Sequence, residues 1–210
     1  MRPSNIDQRI TWRVLVSGLY FAVLAATVFA DPTRSAPEMM VQEVTDQVTQ
    51  RLAHASVELE TDPEYVKKIV VDLVLPHFDF PTLAAAILSD YWEQLSIGER
   101  RCSTNGIRER LVERYARVLR EYEYTSIVTD SLKEVSRVAP IYVTQTVMTP
   151  HPQPLAIKYK MELMDSVWKV VDLIVADISL VRSYRLEFSE EIAKLGLGDF
   201  LRTIPECRER

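Results

Sequence analysis

Apolar residues recur with a helical period up to about Tyr122, and from about Tyr124 they alternate as in strands. From Pro37 to His54, Met40, Val44, Val48 and Leu52 return every four residues, which predicts a first amphipathic helix. A second begins at Thr61-Asp-Pro-Glu64, where either Thr61 and Glu64 form a capping box or Asp62 caps a helix with Pro63 in its first turn. Tyr65, Val66, Ile69, Val70, Leu73 and Val74 give it a wide apolar stripe, and Pro76 should stop it. Phe78-Asp-Phe80-Pro81 then leads into a short helix through Leu83, Ile87 and Leu88. Ser96, with Glu99 three residues on, opens a long helix. Ile107, Leu111, Tyr115, Val118, Leu119 and Tyr122 mark its apolar face, and Arg108, Arg110, Glu113, Arg117, Arg120 and Glu121 the other.

Beyond that point, Tyr124 to Asp130 and Lys133 to Val138 read as a hairpin, and Ile141 to Thr149 as a third strand. Pro150, Pro152 and Pro154 stiffen the next turn, because proline cannot continue a ladder. The cleanest alternation follows: Leu155, Ile157, Tyr159, Met161 and Leu163 face one way, Ala156, Lys158, Lys160 and Glu162 the other. A turn at Asp165-Ser166 connects to a strand over Val167 to Val175. Helices over Leu180 to Leu195 and Asp199 to Ile204 close the chain. Helices followed by an antiparallel sheet with one face covered is the α+β pattern.

The first thirty residues belong to a different class. Arg2, Arg9 and Arg13 stand against Asp7, Val14 to Phe29 is uncharged and apolar, and Val28-Phe-Ala30 supplies the positions a signal peptidase reads. Residues 1–30 are therefore expected to be a cleaved signal peptide and 31–210 one domain. The competing reading is a retained anchor, since the apolar run sits near the ~17-residue lower limit for spanning a bilayer. Without residues 1–30 the balance is 22 basic against 29 acidic residues, a net charge of −7. Nucleic acid, whose phosphates demand Lys and Arg, is a poor partner for such a chain. Cys102 and Cys207 are far apart in sequence, and whether they pair stays open. Neither they nor the scattered His54, His77 and His151 have metal-ligand spacing.

Catalytic signatures are missing: there is no nucleophile elbow, no H-E-x-x-H and no phosphate-cradling glycine loop. Ser179 is better placed to cap a helix than to attack a substrate. Asp172 and Asp177 are carboxylates that could do acid–base work in a pocket. The plainer role for Asp172 is a structural hydrogen bond, or an ion pair with Arg182 or Arg185. The one-faced sheet and one-sided helices can build either a solid core or a lined cavity, and periodicity does not separate the two.

Several stretches resemble the MlaC family of periplasmic phospholipid carriers, also called toluene-tolerance proteins. They are Val74-Leu-Pro76-His-Phe78-Asp79-Phe80; Leu88-Ser-Asp-Tyr-Trp92 with Ser96 and Arg100; Tyr115 with Leu119-Arg-Glu-Tyr122; and Trp168-Lys169, Asp172, Ser179-Leu180-Val181, Tyr184-Arg185 and Phe188. Ser89 and Asp177 stand where the family usually has glycine, and Ser103 and Ile107 replace expected phenylalanines. Members are often basic, whereas this chain is acidic.

The resemblance implies an NTF2-like curved antiparallel sheet packed against the helical N-terminal portion, with C-terminal helices, and acyl chains held between sheet and helices. It implies no enzyme activity and no cofactor. It implies phospholipid as cargo, with an inner-membrane MCE-domain protein of an ABC transporter and an outer-membrane lipoprotein complex as partners. The expected lining is Leu155, Ile157, Tyr159, Met161, Val143, Val147, Val171 and Leu173 from the sheet, and Val70, Val74, Phe80, Leu83, Leu111, Tyr115 and Leu119 from the helices. Asp172 and Arg185 are expected to brace the strand-to-helix junction. Two other readings are an NTF2-like pocket enzyme using a buried aspartate and tyrosine, and an envelope adaptor with a filled core.

Overall fold

The computed structural model describes residues 37–55, 62, 64–121, 126–130, 140–150 and 152–208. The expected signal segment, Thr61 and the expected strand Lys133 to Val138 lie outside them. Helix α1 spans Pro37–Ala53. After it comes the short α2, Tyr65–Ile69, where the Asp62 carboxylate accepts from the Glu64 backbone N–H at 2.9 Å. The winding then widens over Val70–Val74, where the Leu75 N–H reaches back five residues to the Val70 carbonyl. A 3₁₀ turn, Leu75–His77, contains Pro76, and the chain turns extended at Phe78. Pro76 thus ends the helical run in two stages rather than one.

Helix α3, Phe80–Leu88, is capped by Asp79. Ser89, which follows it, has φ +48° and ψ −119°. A 3₁₀ turn over Ser89–Gln94 leads to the long helix α4, Ile97–Glu121. Its capping box forms as the spacing predicts: the Glu99 carboxylate accepts from the Ser96 N–H at 2.8 Å, and the Glu99 N–H donates to Ser96 Oγ at 3.3 Å.

Among the described residues five antiparallel strands follow in meander order: β1 Ser126–Thr129, β2 Ile141–Met148, β3 Leu155–Met164, β4 Val167–Val175 and the two-residue β5 Ile178–Ser179. The tight turns between β3 and β4 (Asp165, Ser166) and between β4 and β5 (Ala176, Asp177) have positive φ at both central residues, the twist a two-residue hairpin requires. The β3–β4 register slips between Lys160 and Met161, so that Val171 is an extra residue in β4. Such a bulge bends the strand and helps curve the sheet. Helices α5, Leu180–Leu195, and α6, Leu197–Thr203, end in a 3₁₀ turn, Pro205–Cys207.

Apolar burial divides in two. The larger core joins α3, α4, α5 and α6 through Leu83, Ile87, Leu111, Phe188 and Phe200. Arginines of the polar face of α4 lie over rings of α5, Arg110 over Phe188 at 5.1 Å and Arg114 over Tyr184 at 4.9 Å. The smaller core joins the start of α1 to the sheet through Met40, Val41, Ile141, Val143, Met161, Trp168 and Val170. Cys102 of α4 is disulfide-bonded to Cys207, with Cα atoms 5.1 Å apart, which settles the pairing the sequence leaves open. One turn on, a Cβ on Gly106 would lie 2.3 Å from the Ile204 side chain, so the C-terminal turn packs directly on the helix backbone.

Candidate functional site

Between the two cores an apolar cavity of about 200 Å³ remains. Helix α1 forms one wall with Met40, Val41, Val44, Thr45, Val48, Thr49 and Leu52, the predicted stripe with its neighbours. The sheet forms the opposite wall with Ile127, Gln145, Val147, Thr149, Leu155, Ile157, Tyr159 and Val170. Val74, His77 and Phe78 close one side, and Tyr115 and Leu119 of α4 another. The 3₁₀ turn is stitched to β4: the Asp79 N–H donates to the Val170 carbonyl at 3.0 Å, and Lys169 Nζ donates to the Pro76 carbonyl at 2.6 Å. Those two bonds fix where Phe78 and His77 enter the wall.

Few polar groups face this space, and most are satisfied inside the protein. Gln145 is 2% exposed and sits at an inward position of β2 between Val143 and Val147. Its Nε2 donates to Thr45 Oγ1 at 2.8 Å and to Thr129 Oγ1 at 2.9 Å, and its Oε1 accepts from the Tyr159 hydroxyl at 2.8 Å. This one side chain therefore ties α1 to β1, β2 and β3. Burial pushes the Tyr159 phenol far above its ordinary range. Burial, followed by Tyr159, Asp172 and Tyr184, does the same to Tyr115. Burial and then Lys169 hold His77 below its usual value against an opposing pull from Glu43, so its imidazole is neutral at pH 7. The wall carries no charge at neutral pH.

Of the residues expected to line a pocket, Val74, Tyr115, Leu119, Val147, Leu155, Ile157 and Tyr159 meet at this cavity. Val70, Phe80, Leu83 and Leu111 lie in the helical core instead. Val70 is fully buried in that core, whereas Val74, four residues on at the end of the wide turn, packs against the core and also faces the cavity. Val143 and Met161 pack in the smaller core beside the cavity. Strand β4 places Val170 on the wall, with Val171 taken up by the bulge and Leu173 buried opposite Tyr159. The α1 residues, with Gln145, Ile127, His77, Thr149 and Val170, are not among the residues expected from the sequence. Two signals for these were present: the four-residue stripe of α1, and a glutamine inside an otherwise apolar inward row.

Asp172 lies at the strand-to-helix junction, off the cavity wall. Its Oδ1 accepts from the N–H groups of Leu173 (2.8 Å) and Val181 (3.0 Å), and its Oδ2 from Ser179 Oγ (2.6 Å). Ser179 Oγ in turn accepts from the Arg182 N–H at 3.0 Å and so caps α5. The ion-pair alternative for Asp172 does not form among the described residues; its carboxylate is held by two backbone N–H groups and the Ser179 hydroxyl. Arg185 reaches the other way and donates from Nε to the Ala86 carbonyl at 2.8 Å, joining α5 to α3.

A second, wider groove of about 610 Å³ runs over the outer face of α4. Phe78, Phe80, Trp92, Arg100, Arg101, Thr104 and Arg108 are among its walls. It is larger, but it is open and carries three guanidinium groups, so apolar groups laid there stay in contact with water and charge. The more enclosed and more apolar surface lies between α1 and the sheet. Among the described residues no cluster of His, Cys, Asp and Glu could hold a metal, and no helix is long and apolar enough to cross a membrane.

The chain is similar over 181 residues to the intermembrane phospholipid transport system binding protein MlaC of Haemophilus influenzae, at 22% identity, covering 84% of this chain and 83% of the relative. Its fold is similar to that of a phospholipid-binding protein from Ralstonia solanacearum solved in complex with a phospholipid. The TM-score there is 0.73 at 20% identity, over 82% of this chain and 97% of the other. The MlaC protein family model matches residues 42–206, which include α1 from its second turn and the strands β1 to β5. The chain belongs to the MlaC family.

Proposed function

We propose that this protein is a periplasmic phospholipid carrier, exported by its N-terminal signal segment, that holds acyl chains in the cavity between α1, α4 and the sheet. The observation that carries this reading is an uncharged apolar cavity inside a family whose relatives are named for phospholipid transport and binding. Each methylene moved from water into such a space gains about 0.8 kcal/mol. The wall that α1 presents from Met40 to Leu52 spans twelve helical rises, about 18 Å. That is close to the reach of one acyl chain, whose leaflet fills about half of a bilayer core of about 30 Å. A headgroup left in water would make the carrier tolerant of lipid class.

In this account the carrier receives or delivers lipid at an inner-membrane MCE-domain protein of an ABC transporter and at an outer-membrane lipoprotein complex. The transporter supplies the energy. The pocket-enzyme reading relies on a buried aspartate, and Asp172 is engaged at both oxygens away from the cavity. The test is lipid extraction and mass spectrometry of the purified protein, followed by uptake from phospholipid vesicles after delipidation. The expected result is phospholipid near one molecule per chain, regained on incubation with vesicles. A protein that is lipid-free as isolated and takes up none would sink the reading.

A further inference from the structure

The hydroxyl oxygen of Tyr115 is buried and has no hydrogen-bond partner among the described residues, although the ring stands on the cavity wall. The other polar side chains there are accounted for differently. Gln145 and Tyr159 satisfy one another, with Thr45 and Thr129. The Thr49 hydroxyl donates to the Thr45 carbonyl at 2.9 Å. His77 is half-buried and reaches solvent. Buried hydroxyls are almost always paired in folded proteins, and an unpaired one carries its full desolvation cost. Burial, reinforced by Tyr159, Asp172 and Tyr184, keeps the phenol protonated, so Tyr115 offers a proton and not a charge. Its natural complement is an acceptor oxygen on a ligand that is otherwise apolar.

We propose that the Tyr115 hydroxyl donates a hydrogen bond to a carbonyl oxygen of the bound lipid, so that the cavity favours acyl-linked over alkyl-linked chains. This rests on the lipid-carrier reading above and names the chemistry the site selects. The carbonyl belongs either to an ester of a diacyl glycerophospholipid or to the carboxyl group of a free fatty acid. An ether-linked phospholipid has the same headgroup and chain length but lacks the carbonyl, and Tyr115 then faces a far weaker acceptor.

The delipidated full chain and its Tyr115→Phe variant are to be loaded from vesicles of diester phosphatidylcholine, of diether phosphatidylcholine, or of an equimolar mixture, and the bound lipid quantified by mass spectrometry. The wild-type protein should favour the diester about tenfold, the upper range for one neutral hydrogen bond. Tyr115→Phe should bind both lipids with no preference. Equal uptake by the wild type, or a preference that survives in Tyr115→Phe, overturns the proposal. Lipid-free Tyr115→Phe should melt no lower than wild type. A clear drop would reveal an internal partner for the hydroxyl and would also overturn it. A fatty acid that displaces the diester and weakens about tenfold in Tyr115→Phe assigns the contact to a carboxyl group; one that the variant leaves unaffected assigns it to the ester. If the wild type binds neither phospholipid, the carrier reading itself has failed.

Discussion

Replacing Gln145 by leucine removes the one side chain that ties α1 to three strands across the cavity wall. Gln145 is 2% exposed and makes three side-chain hydrogen bonds, to Thr45, Thr129 and Tyr159. Leucine has a similar volume, so the packing change is small. Thr45 keeps its donation to the Val41 carbonyl at 2.9 Å, whereas the Tyr159 hydroxyl loses its acceptor. Neutral hydrogen bonds contribute about 1 kcal/mol each and a buried orphan hydroxyl costs about 1–3 kcal/mol, while removing the buried amide offsets part of the loss. The expected destabilisation is about 3 kcal/mol, or about 6–12 °C in Tm for a chain of this size. Urea and thermal unfolding of the lipid-free protein would measure it. Adding Tyr159→Phe removes the orphan, and the double variant should recover about half of the loss, because deleting both partners is cheaper than deleting one. A Gln145→Leu protein within about 0.5 kcal/mol of wild type, or a double variant less stable than the single, would refute the reasoning.

Ile157→Trp should fill the middle of the sheet wall and exclude about four methylenes, lowering lipid affinity by about 3 kcal/mol, more than a hundredfold in an uptake assay. Unchanged uptake with lowered Tm would assign Ile157 to ordinary core. Paired serine substitutions at Cys102 and Cys207 release a loop spanning a sequence separation of 105, and the chain-entropy estimate for such a closure is about 4–5 kcal/mol, read as a lowered urea midpoint. Ser89→Gly should raise stability by about 1 kcal/mol, since φ +48° with ψ −119° disfavours any residue carrying a Cβ. A destabilised Ser89→Gly would mean that the serine side chain contributes more than its backbone strain costs.

How much of this was legible along the chain depends on how local the cause is. The stripe of α1, the Ser96–Glu99 box and the alternation from Leu155 to Leu163 each record a structure decided within a few residues, and each forms. Even Ser89 and Asp177, which the resemblance sets at positions expected to carry glycine, fall on backbone with positive φ. The division between core and cavity is not local. Val70 and Val74 look equivalent in sequence, yet Val70 is fully buried in the helical core while Val74 also faces the cavity. Val171 looks like a lining residue until the bulge in β4 hands that place to Val170. A helix stripe states that one face is buried, but not whether its opposite neighbour touches it or stands back across a gap. Gln145 was the one polar clue to the gap, because an amide amid inward valines needs partners from several elements.

Acyl chains bound as proposed lie between α1 and the sheet rather than in the arginine-bearing groove on α4. A photo-crosslinking amino acid placed singly at Leu52, on the α1 wall, and at Thr104, in the groove, tests this directly when each lipid-loaded protein is irradiated and its peptides are read by mass spectrometry. Phospholipid adducts are expected at position 52 and none above background at position 104. Adducts confined to position 104 would place the lipid in the groove and contradict the proposal.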